Sequence, residues 1–249
     1  MIERITSKTN PYIKHLKRLR TDRGYRYAQR CYLADGEKLL SEALRWNTPL
    51  SAVIVQDGTV LPRLPETVRV ITVPETLMRD ISRMDTPQGI LTVCRMPEPA
   101  SLCIEKGCLI LDCIQDPGNV GTILRTADAL DVPVILSDGC ADPFGEKTVR
   151  ATMGVPFRTK IVQAPKEQII AACRAAGVPI IAAALSDRAE DLRSLPLRDA
   201  AVVIGSEGKG VCADYLTAAS AEAVIPMSDR CESLNAAVAA AIVMWQMKR

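Results

Sequence analysis

Histidine, aromatic residues and long apolar runs are all scarce in this chain of 249 residues. His15 is the single histidine and no C-x-x-C pair occurs, so a transition-metal site would have few ligands and we expect none. No apolar run approaches the roughly 20 residues of a membrane-spanning helix, and the N-terminus lacks the apolar core of a signal peptide. We therefore expect a cytoplasmic protein without a membrane anchor.

Cysteine is present, but its pattern does not indicate a disulfide framework. The nine cysteines are odd in number, and several lie in apolar runs where a free thiol behaves as a small hydrophobe, namely Cys94, Cys108, Cys113 and Cys173. We predict reduced, mostly buried thiols, as is usual in cytosolic proteins. Hydrophobic residues make up 48% of the chain and aromatic residues only 4%, so the core must consist of Leu, Ile, Val and Ala.

Charge is unevenly spread along the chain. Residues 1–30 contain nine basic and two acidic side chains, which gives this segment a net charge of +7. The rest of the chain has a net charge of −5, so the whole chain has +2. A basic arm on an acidic body is typical of a protein with a polyanionic partner. A solvated basic helix without a partner would have the same composition, so charge alone leaves both interpretations open.

A proline-rich break at Met96-Pro97-Glu98-Pro99 stops regular structure and predicts a linker over residues 97–104. Residues 1–96 are predicted to form a small α/β domain. Its helices start at Asn10-Pro11 and cover Gly36–Trp46, and its strands are Ala52–Val55, Val68–Val73 and Ile90–Cys94.

Strands and helices alternate over residues 105–249, which predicts an α/β domain with a parallel sheet covered on both faces. The predicted strands are Cys108–Asp112, Val134–Ser137, Phe157–Ile161, Pro179–Ala184, Ala201–Gly205 and Ala223–Pro226. The predicted helices are Val120–Leu130, Glu146–Thr152, Lys166–Ala176 and Leu234–Met247. Ligands of such sheets bind beyond the carboxyl ends of the strands, so the residues that follow each strand are the candidates for a site.

The first unusual segment follows the first strand of this second domain. Asp116-Pro117-Gly118-Asn119 forms a turn that ends in a possible helix cap. Gly121 and Arg125 lie one turn apart on the polar face of the next helix, so the glycine leaves space beside the guanidinium. An arginine on a helix is by default a solvated residue, here paired with Asp128 at i,i+3. The segment alone therefore leaves a functional and a purely structural interpretation open.

Two further segments have the same placement at strand ends. Gly205-Ser206-Glu207-Gly208-Lys209-Gly210 can bring its backbone close to a ligand, although it fits neither G-x-G-x-x-G nor the P-loop, and a simple strand-to-helix turn would look similar. Ile225-Pro226-Met227 ends a strand, and Ser233-Leu234-Asn235 begins an alanine-rich helix with Ser233 as a credible N-cap.

Taken together and in order, the three segments resemble the SpoU (TrmH-type) RNA ribose 2′-O-methyltransferases of the SPOUT class. The matching motifs are N-x-G-x-x-x-R at Asn119, Gly121 and Arg125, G-S-E-G-x-G at residues 205–210, and I-P-M with S-L-N between Ile225 and Asn235. The match is strong over residues 108–247. It is looser upstream, at residues 7–11, 32–39 and 86–90, which resemble the substrate-binding domain of the family.

The resemblance implies a C-terminal parallel-sheet domain with a trefoil-type knot near residues 205–235, over 105–249, preceded by an RNA substrate-binding domain over 1–96. It implies S-adenosylmethionine as cofactor, ribosomal or transfer RNA as substrate, and a homodimer with the active site near the subunit interface. The implied catalytic residues are Arg125, Asn119, Glu207, Ser233 and Asn235, and the implied cofactor-binding residues are Leu185, Gly205, Ile225, Met227 and Leu234. The basic arm would bind RNA through Lys8, Lys14, Lys17, Arg18, Arg20 and Arg23.

The identity of the general base stays open at this stage. His15 is far along the chain from the motifs, and we reject it. Glu207 could take the proton or could only hold neighbouring groups, whereas Arg125 is better suited to stabilise developing negative charge than to act as a base. The competing hypotheses are an RNA-binding protein that has lost the chemistry, a dinucleotide-dependent enzyme and a base-methylating relative. The intact polar residues argue against lost chemistry, and the absence of a G-x-G-x-x-G motif argues against a dinucleotide-dependent enzyme. A base-methylating relative fits the third motif less well.

Overall fold

A computed structural model describes residues 2–82, 87–228 and 230–249. Its strands are β1 (Ile2–Arg4), β2 (Cys31–Asp35), β3 (Leu50–Gln56), β4 (Arg69–Val73), β5 (Ile90–Arg95), β6 (Cys108–Leu111), β7 (Val134–Leu136), β8 (Val162–Gln163), β9 (Ile180–Ala183), β10 (Glu190–Asp191), β11 (Ala201–Ile204) and β12 (Ala221–Val224). Its α-helices are α1 (Pro11–Thr21), α2 (Arg23–Gln29), α3 (Glu37–Arg45), α4 (Glu75–Ile81), α5 (Pro117–Leu130), α6 (Glu146–Thr152), α7 (Lys166–Ala176), α8 (Ala213–Ala218) and α9 (Ala236–Met247). Thr86, at the start of the matched segment 86–90, lies outside the described residues.

The chain forms two compact units. One consists of the chain up to Glu98 together with Asp142–Thr159, and the other of Pro99–Ala141 together with Lys160–Arg249. We refer to them as the first and the second unit.

The first unit is built on a five-stranded mixed sheet of order β1-β4-β3-β5-β2, in which β1, β4 and β3 are parallel and β5 is antiparallel to β3 and β2. The helical spacing of Ile13, Leu16 and Leu19 predicted one buried face, and all three are at most 1% exposed against this sheet. The segment 142–159 belongs here because Phe144 and Phe157 pack on Tyr32 of β2.

A buried ion pair joins the same segment to α2. The guanidinium of Arg26 donates to one carboxylate oxygen of Asp142 from both Nε (2.8 Å) and Nη2 (2.6 Å), and Nη1 donates to the Leu19 carbonyl. Both side chains are less than 10% exposed. Loss of one partner would leave the other as an uncompensated buried charge, so this pair holds the returning segment in one position.

The second unit contains a seven-stranded, entirely parallel sheet of order β10-β12-β9-β11-β6-β7-β8. Strands β6 (CLIL) and β11 (AVVI) are fully buried, as their continuous apolar sequences predicted. In the sheet, β11 lies between β9 and β6, and because all the strands are parallel, the carboxyl ends of β12, β9, β11 and β6 lie along one edge. That edge carries all three of the unusual segments.

Several predicted elements differ from the observed ones. The strand predicted at Phe157–Ile161 is wrong: Val155–Phe157 is a 3-10 turn after Gly154, which has φ of 93°, and only Val162–Gln163 forms a strand. The helix predicted from Val120 starts at Pro117 because the Asp116 side chain caps it, and the cap predicted at Asn119 is therefore wrong. Strands β1, β2 and β10 and helices α2, α4 and α8 were not predicted as elements.

The cysteines are all free thiols. Cys94, Cys108 and Cys173 are buried as predicted, whereas Cys113 is only half-buried, because it lies after β6 in a loop where its φ is 55°. Burial raises the pKa of the Cys173 thiol to about 11, so this group stays neutral and behaves as a small apolar residue.

Candidate active site

Three side chains from three separate motifs meet at the carboxyl edge of the parallel sheet. The Glu207 Oε1 atom accepts hydrogen bonds from Asn119 Nδ2 (2.7 Å) and Asn235 Nδ2 (2.8 Å). Asn235 Nδ2 also donates to Asn119 Oδ1 at 3.1 Å. We call these three residues the polar triad. Glu207 and Asn235 follow Asn119 by 88 and 116 positions in the chain, so only the fold brings the three residues together.

Helix capping decides which of these polar groups are available. Asp116 Oδ1 accepts from the Asn119 N–H and caps α5, which leaves the Asn119 side chain for the triad. Asn235 caps α9, since its Oδ1 accepts from the N–H groups of Ala237 and Val238, and its amide still donates to Glu207. The N-cap predicted at Ser233 is therefore wrong by two residues, and Ser233 instead lines the adjacent cavity.

Glu207 is the centre of the triad. Its Oε1 atom also receives the Ala236 N–H at 3.3 Å, so this carboxylate oxygen has three donors and lies at the N-terminus of α9, where the helix dipole favours negative charge. The other oxygen, Oε2, accepts no hydrogen bond from the described residues. The arrangement can orient a polar ligand and leaves one carboxylate oxygen to receive a proton.

A cavity of about 350 Å³ lies beside the triad, between the carboxyl ends of β9, β11 and β12 and the start of α9. Every residue predicted to bind the cofactor lines it: Leu185, Gly205, Ile225, Met227 and Leu234. Glu207 and Ser233 line it too. The backbone N–H groups of Leu185, Ile225 and Met227 donate no hydrogen bond to any of the described residues, so they are available to a ligand.

Gly205 allows the two ends of the glycine loop to approach each other. A Cβ atom at Gly205 would overlap the backbone of Gly210 and the N–H of Val211. The loop is closed by the hydrogen bond from Gly210 N to Ser206 O (2.8 Å), and Gly210 itself has φ of 65°. The glycines predicted as a close-approach loop thus bring backbone next to backbone at the wall of the cavity.

Asp112 is a site-forming residue that the sequence reasoning missed. It follows β6, is 1% exposed, and its Oδ2 atom accepts from the Cys212 N–H at 2.7 Å. The contact fixes the far end of the glycine loop to the neighbouring strand. A carboxylate at the end of an otherwise apolar strand is the signal that could have found it. Lys209 was also missed, although it lines the cavity.

Arg125 lies outside the cavity. It is exposed on α5, and its guanidinium makes no hydrogen bond or ion pair with the described residues. Its helical neighbours Thr122 and Thr126 line a separate open groove between α5 and α9. Within one chain, the structure therefore does not join Arg125 to the polar triad.

Two of the six side chains predicted to bind RNA make contacts within the first unit instead. Lys17 binds Asp80 at 2.6 Å, and Arg20 donates to the backbone carbonyls of Asp80 (3.2 Å) and Ile81 (2.8 Å). The others are exposed: Lys8, Lys14, Arg18 beside Asp22, and Arg23 over the Tyr27 ring. His15 contacts the Tyr25 hydroxyl, and burial lowers the pKa of its imidazole.

Within residues 2–82, 87–228 and 230–249, no group of three His, Cys, Asp or Glu side chains has the arrangement of a metal site. Over the same residues, no helix is both long and apolar enough to cross a membrane.

Known proteins resemble this chain over its full length. The 23S rRNA (guanosine(2553)-2′-O)-methyltransferase RlmP of Bacillus subtilis is 34% identical over 99% of this chain and 100% of its own. The 23S rRNA (uridine(2479)-2′-O)-methyltransferase of Streptomyces viridochromogenes is 27% identical over 99% of this chain and 92% of its own. The AdoMet-bound rRNA methyltransferase from Sinorhizobium meliloti superposes with a TM-score of 0.87, at 31% identity, over 100% of this chain and 98% of that one.

Two family models match successive parts of the chain. The MRM3-like substrate binding domain matches residues 10–92, and the SpoU rRNA Methylase family matches residues 106–245. The second match includes the polar triad and every residue that lines the cavity. Because it covers more than half of the chain, and because RlmP is 34% identical throughout, this protein belongs to the SpoU rRNA Methylase family.

Proposed function

We propose that this protein transfers a methyl group from S-adenosylmethionine to a ribose 2′-hydroxyl of ribosomal RNA. The observation that carries the proposal is the convergence of Asn119, Glu207 and Asn235 beside a cavity at the strand ends of a parallel sheet. Relatives that match along the whole chain are named as 23S rRNA 2′-O-methyltransferases, which supports ribosomal rather than transfer RNA.

The cavity fits the cofactor in size and in chemistry. Its volume of about 350 Å³ lies within the range of small-molecule sites. Leu185, Ile225 and Leu234 offer apolar surface to a purine ring, and the available N–H groups of Ile225 and Met227 can bind its ring nitrogens. We assign Leu185, Gly205, Ile225, Met227 and Leu234 to cofactor binding.

The bound cofactor supplies a methyl group on a positively charged sulfur, and that sulfur leaves as a neutral thioether. The residues of the chain therefore act on the ribose hydroxyl, which is a weak nucleophile until its proton is shared. Glu207 Oε2 is the acceptor we assign to that proton, and Asn119, Ser233 and Asn235 orient the ribose. The Arg125 guanidinium stays protonated, so its role is to bind the adjacent phosphate and stabilise developing negative charge.

A second copy of the chain completes this site in our proposal. Helix α9 is apolar on both sides: Ala240, Val243 and Met244 are buried, while Val238, Ile242 and Trp245 are 48%, 37% and 58% exposed. A helix that is hydrophobic all round is normally covered on all sides. The exposed side forms the open groove with α5 that Asn119 and Asn235 also line, and Arg125 flanks it. A homodimer through this groove would bring Arg125 to the edge of a site.

We assign RNA binding to residues 1–96 and the methyltransferase domain to residues 105–249, with 97–104 as the linker. The match of residues 10–92 to a substrate binding domain supports the first assignment. The proposal includes a trefoil-type knot near residues 205–235, which the family resemblance implies. The hydrogen bonds of Glu207 with Asn235 and Ala236 bring the two ends of this segment together. Free thiols and a ribosomal RNA substrate support a cytoplasmic location.

The test of the chemistry is Arg125→Ala. With labelled S-adenosylmethionine and total RNA from a strain that lacks the protein, the wild type should give ribose methylation at a mappable nucleotide. Arg125→Ala should lower kcat by a factor of about 10² or more, and calorimetry should find the cofactor affinity unchanged. Arg174→Ala, which removes an exposed arginine from α7 of the same unit, is the matched control and should keep full activity. Lost cofactor binding in Arg125→Ala would contradict its assigned role.

A further inference from the structure

One face at the end of α3 combines cations with an exposed indole. It consists of Lys38, Glu42, Arg45 and Trp46, together with Arg158, and we call it the α3 surface. All five residues belong to the first unit. Only Lys38 falls in a segment that the family resemblance matched, residues 32–39, and none of the five takes part in the polar triad or in its cavity.

Cations outnumber acids on this surface. Lys38, Arg45 and Arg158 approach the Glu42 carboxylate to 3.4, 3.9 and 3.9 Å, and no other acid pairs with Lys38 or Arg45 among the described residues. Lys38 and Arg45 share this one carboxylate, which can balance only one of them, so the surface keeps an excess positive charge. The side chains of Lys38 and Arg45 are 65% and 71% exposed, which makes that charge accessible to a polyanion.

Trp46 adds an aromatic platform to the charge. Its side chain is 45% exposed, although tryptophan is one of the residues that gains most from burial. The guanidinium carbons of Arg45 and Arg158 lie 5.7 and 5.8 Å from the ring centroid. Both guanidiniums lie over the indole ring. An exposed indole can stack on an unpaired nucleobase, while the exposed guanidinium of Arg45 can bind a flanking phosphate.

We propose that the α3 surface binds an unpaired segment of the RNA substrate, with a base on Trp46 and phosphates on the exposed side chains of Lys38 and Arg45. This inference rests on the proposed function, because it assumes that the substrate is RNA. RNA is favoured over an acidic protein because the excess cations surround a stacking platform. The N-terminal arm, by contrast, uses Lys17 and Arg20 for contacts inside its own unit.

The stacking step is tested with Trp46→Ala and Trp46→Phe. The affinity for a labelled single-stranded oligoribonucleotide of random sequence should fall about tenfold in Trp46→Ala and change less than threefold in Trp46→Phe. The same RNA should quench the tryptophan fluorescence of the wild type, and this quenching should be absent from Trp46→Phe, which keeps only Trp245. A purely structural role for Trp46 would not give RNA-dependent quenching.

The phosphate step has a closely matched control. Arg45→Gln should weaken binding and reduce the slope of log K against log salt by about 0.7. Arg79→Gln removes an exposed arginine from α4 of the same unit, with a side chain exposed to 69% against 71% for Arg45, and should change neither quantity.

Failure of this inference and failure of the proposed function give different results. If the wild type methylates RNA but Trp46→Ala and Arg45→Gln bind it as tightly as the wild type does, the α3 surface does not contact RNA and the inference is overturned. If the wild type methylates no RNA at all, the proposed function fails.

Discussion

At the scale of single residues, Gly205 carries the tightest geometric requirement of the site. Its hydrogen atoms face the Gly210 carbonyl and the Val211 N–H, so the chain closes the glycine loop with no space for a side chain. Gly208, in the middle of the same loop, has no atom within 4 Å of the position of an added Cβ. The two glycines therefore serve different purposes, although they belong to one motif.

This difference makes a paired prediction possible. Gly205→Ala should push the loop apart, cost about 1–3 kcal/mol in the free energy of unfolding, and weaken S-adenosylmethionine binding at least tenfold, because the displaced backbone forms the wall of the cavity. Gly208→Ala should leave both quantities near wild type. Thermal unfolding and calorimetry with the cofactor check the two variants side by side, and equal behaviour would refute the close-approach argument.

The residues of the triad could be predicted from motif order, but their contacts could not. Asn119, Ser233 and Asn235 are all acceptable helix caps by residue type, and sequence alone assigned the caps to Asn119 and Ser233. The structure uses Asp116 and Asn235 because their side-chain oxygens reach the free N–H groups of the first turn. Arg125 illustrates the other limit, since the structure does not join it to the triad within the described residues.

At the scale of elements, the segment after β9 forms one wall of the cavity and is fastened to β12. Glu222 of β12 is 8% exposed and accepts from Ser186 Oγ (2.5 Å) and from Arg188 Nη2 (2.6 Å). Ala184 N donates to the Ala223 carbonyl at 3.0 Å. Between these attachments lies Leu185, which is 63% exposed and lines the cavity. Glu222 thus holds the segment that carries Leu185, and under the proposed function it would position a cofactor contact.

Glu222→Gln should raise the KM for S-adenosylmethionine about five- to tenfold and leave kcat within a factor of two. The amide keeps one acceptor, but it loses the charge that binds Arg188 and places an NH₂ group against a donor. Asp191→Asn, which breaks the exposed pair with Arg193 farther along the same segment, is the control and should change neither constant. Initial rates at varied cofactor concentration give KM and kcat for both variants. A fall in kcat with unchanged KM would indicate general destabilisation instead.

Long apolar strands and helices with clear periodicity could be predicted as elements, whereas short ones could not. Glu146–Thr152 and Lys166–Ala176 were predicted with the observed bounds. Strands β8 and β10 have two residues each, so no periodic pattern can reveal them. Phe157, the first residue of the strand wrongly predicted at Phe157–Ile161, packs in the core of the first unit and ends a 3-10 turn instead of entering a sheet.

At the scale of the whole molecule, the alternation of strands and helices predicted a parallel sheet, and the seven-stranded sheet of the second unit confirms it. The membership of Asp142–Thr159 in the first unit could not be predicted. It depends on contacts between residues more than 100 positions apart, such as Arg26 with Asp142, and no local pattern encodes such a pairing.

The outer side of α9 supports the last prediction, which concerns assembly. The double variant Ile242→Glu and Trp245→Glu should convert a two-chain species into a single chain, because two carboxylates per copy would be buried without partners in the groove. The cavity is formed within one chain, so cofactor affinity should persist, while methyl transfer should fall because Arg125 no longer meets a neighbouring site. Val60→Glu alters another exposed apolar residue, 89% exposed in the first unit, and should leave the mass unchanged. Light scattering coupled to gel filtration measures these masses. A wild type that elutes as one chain and is fully active would show that Arg125 acts without a partner subunit.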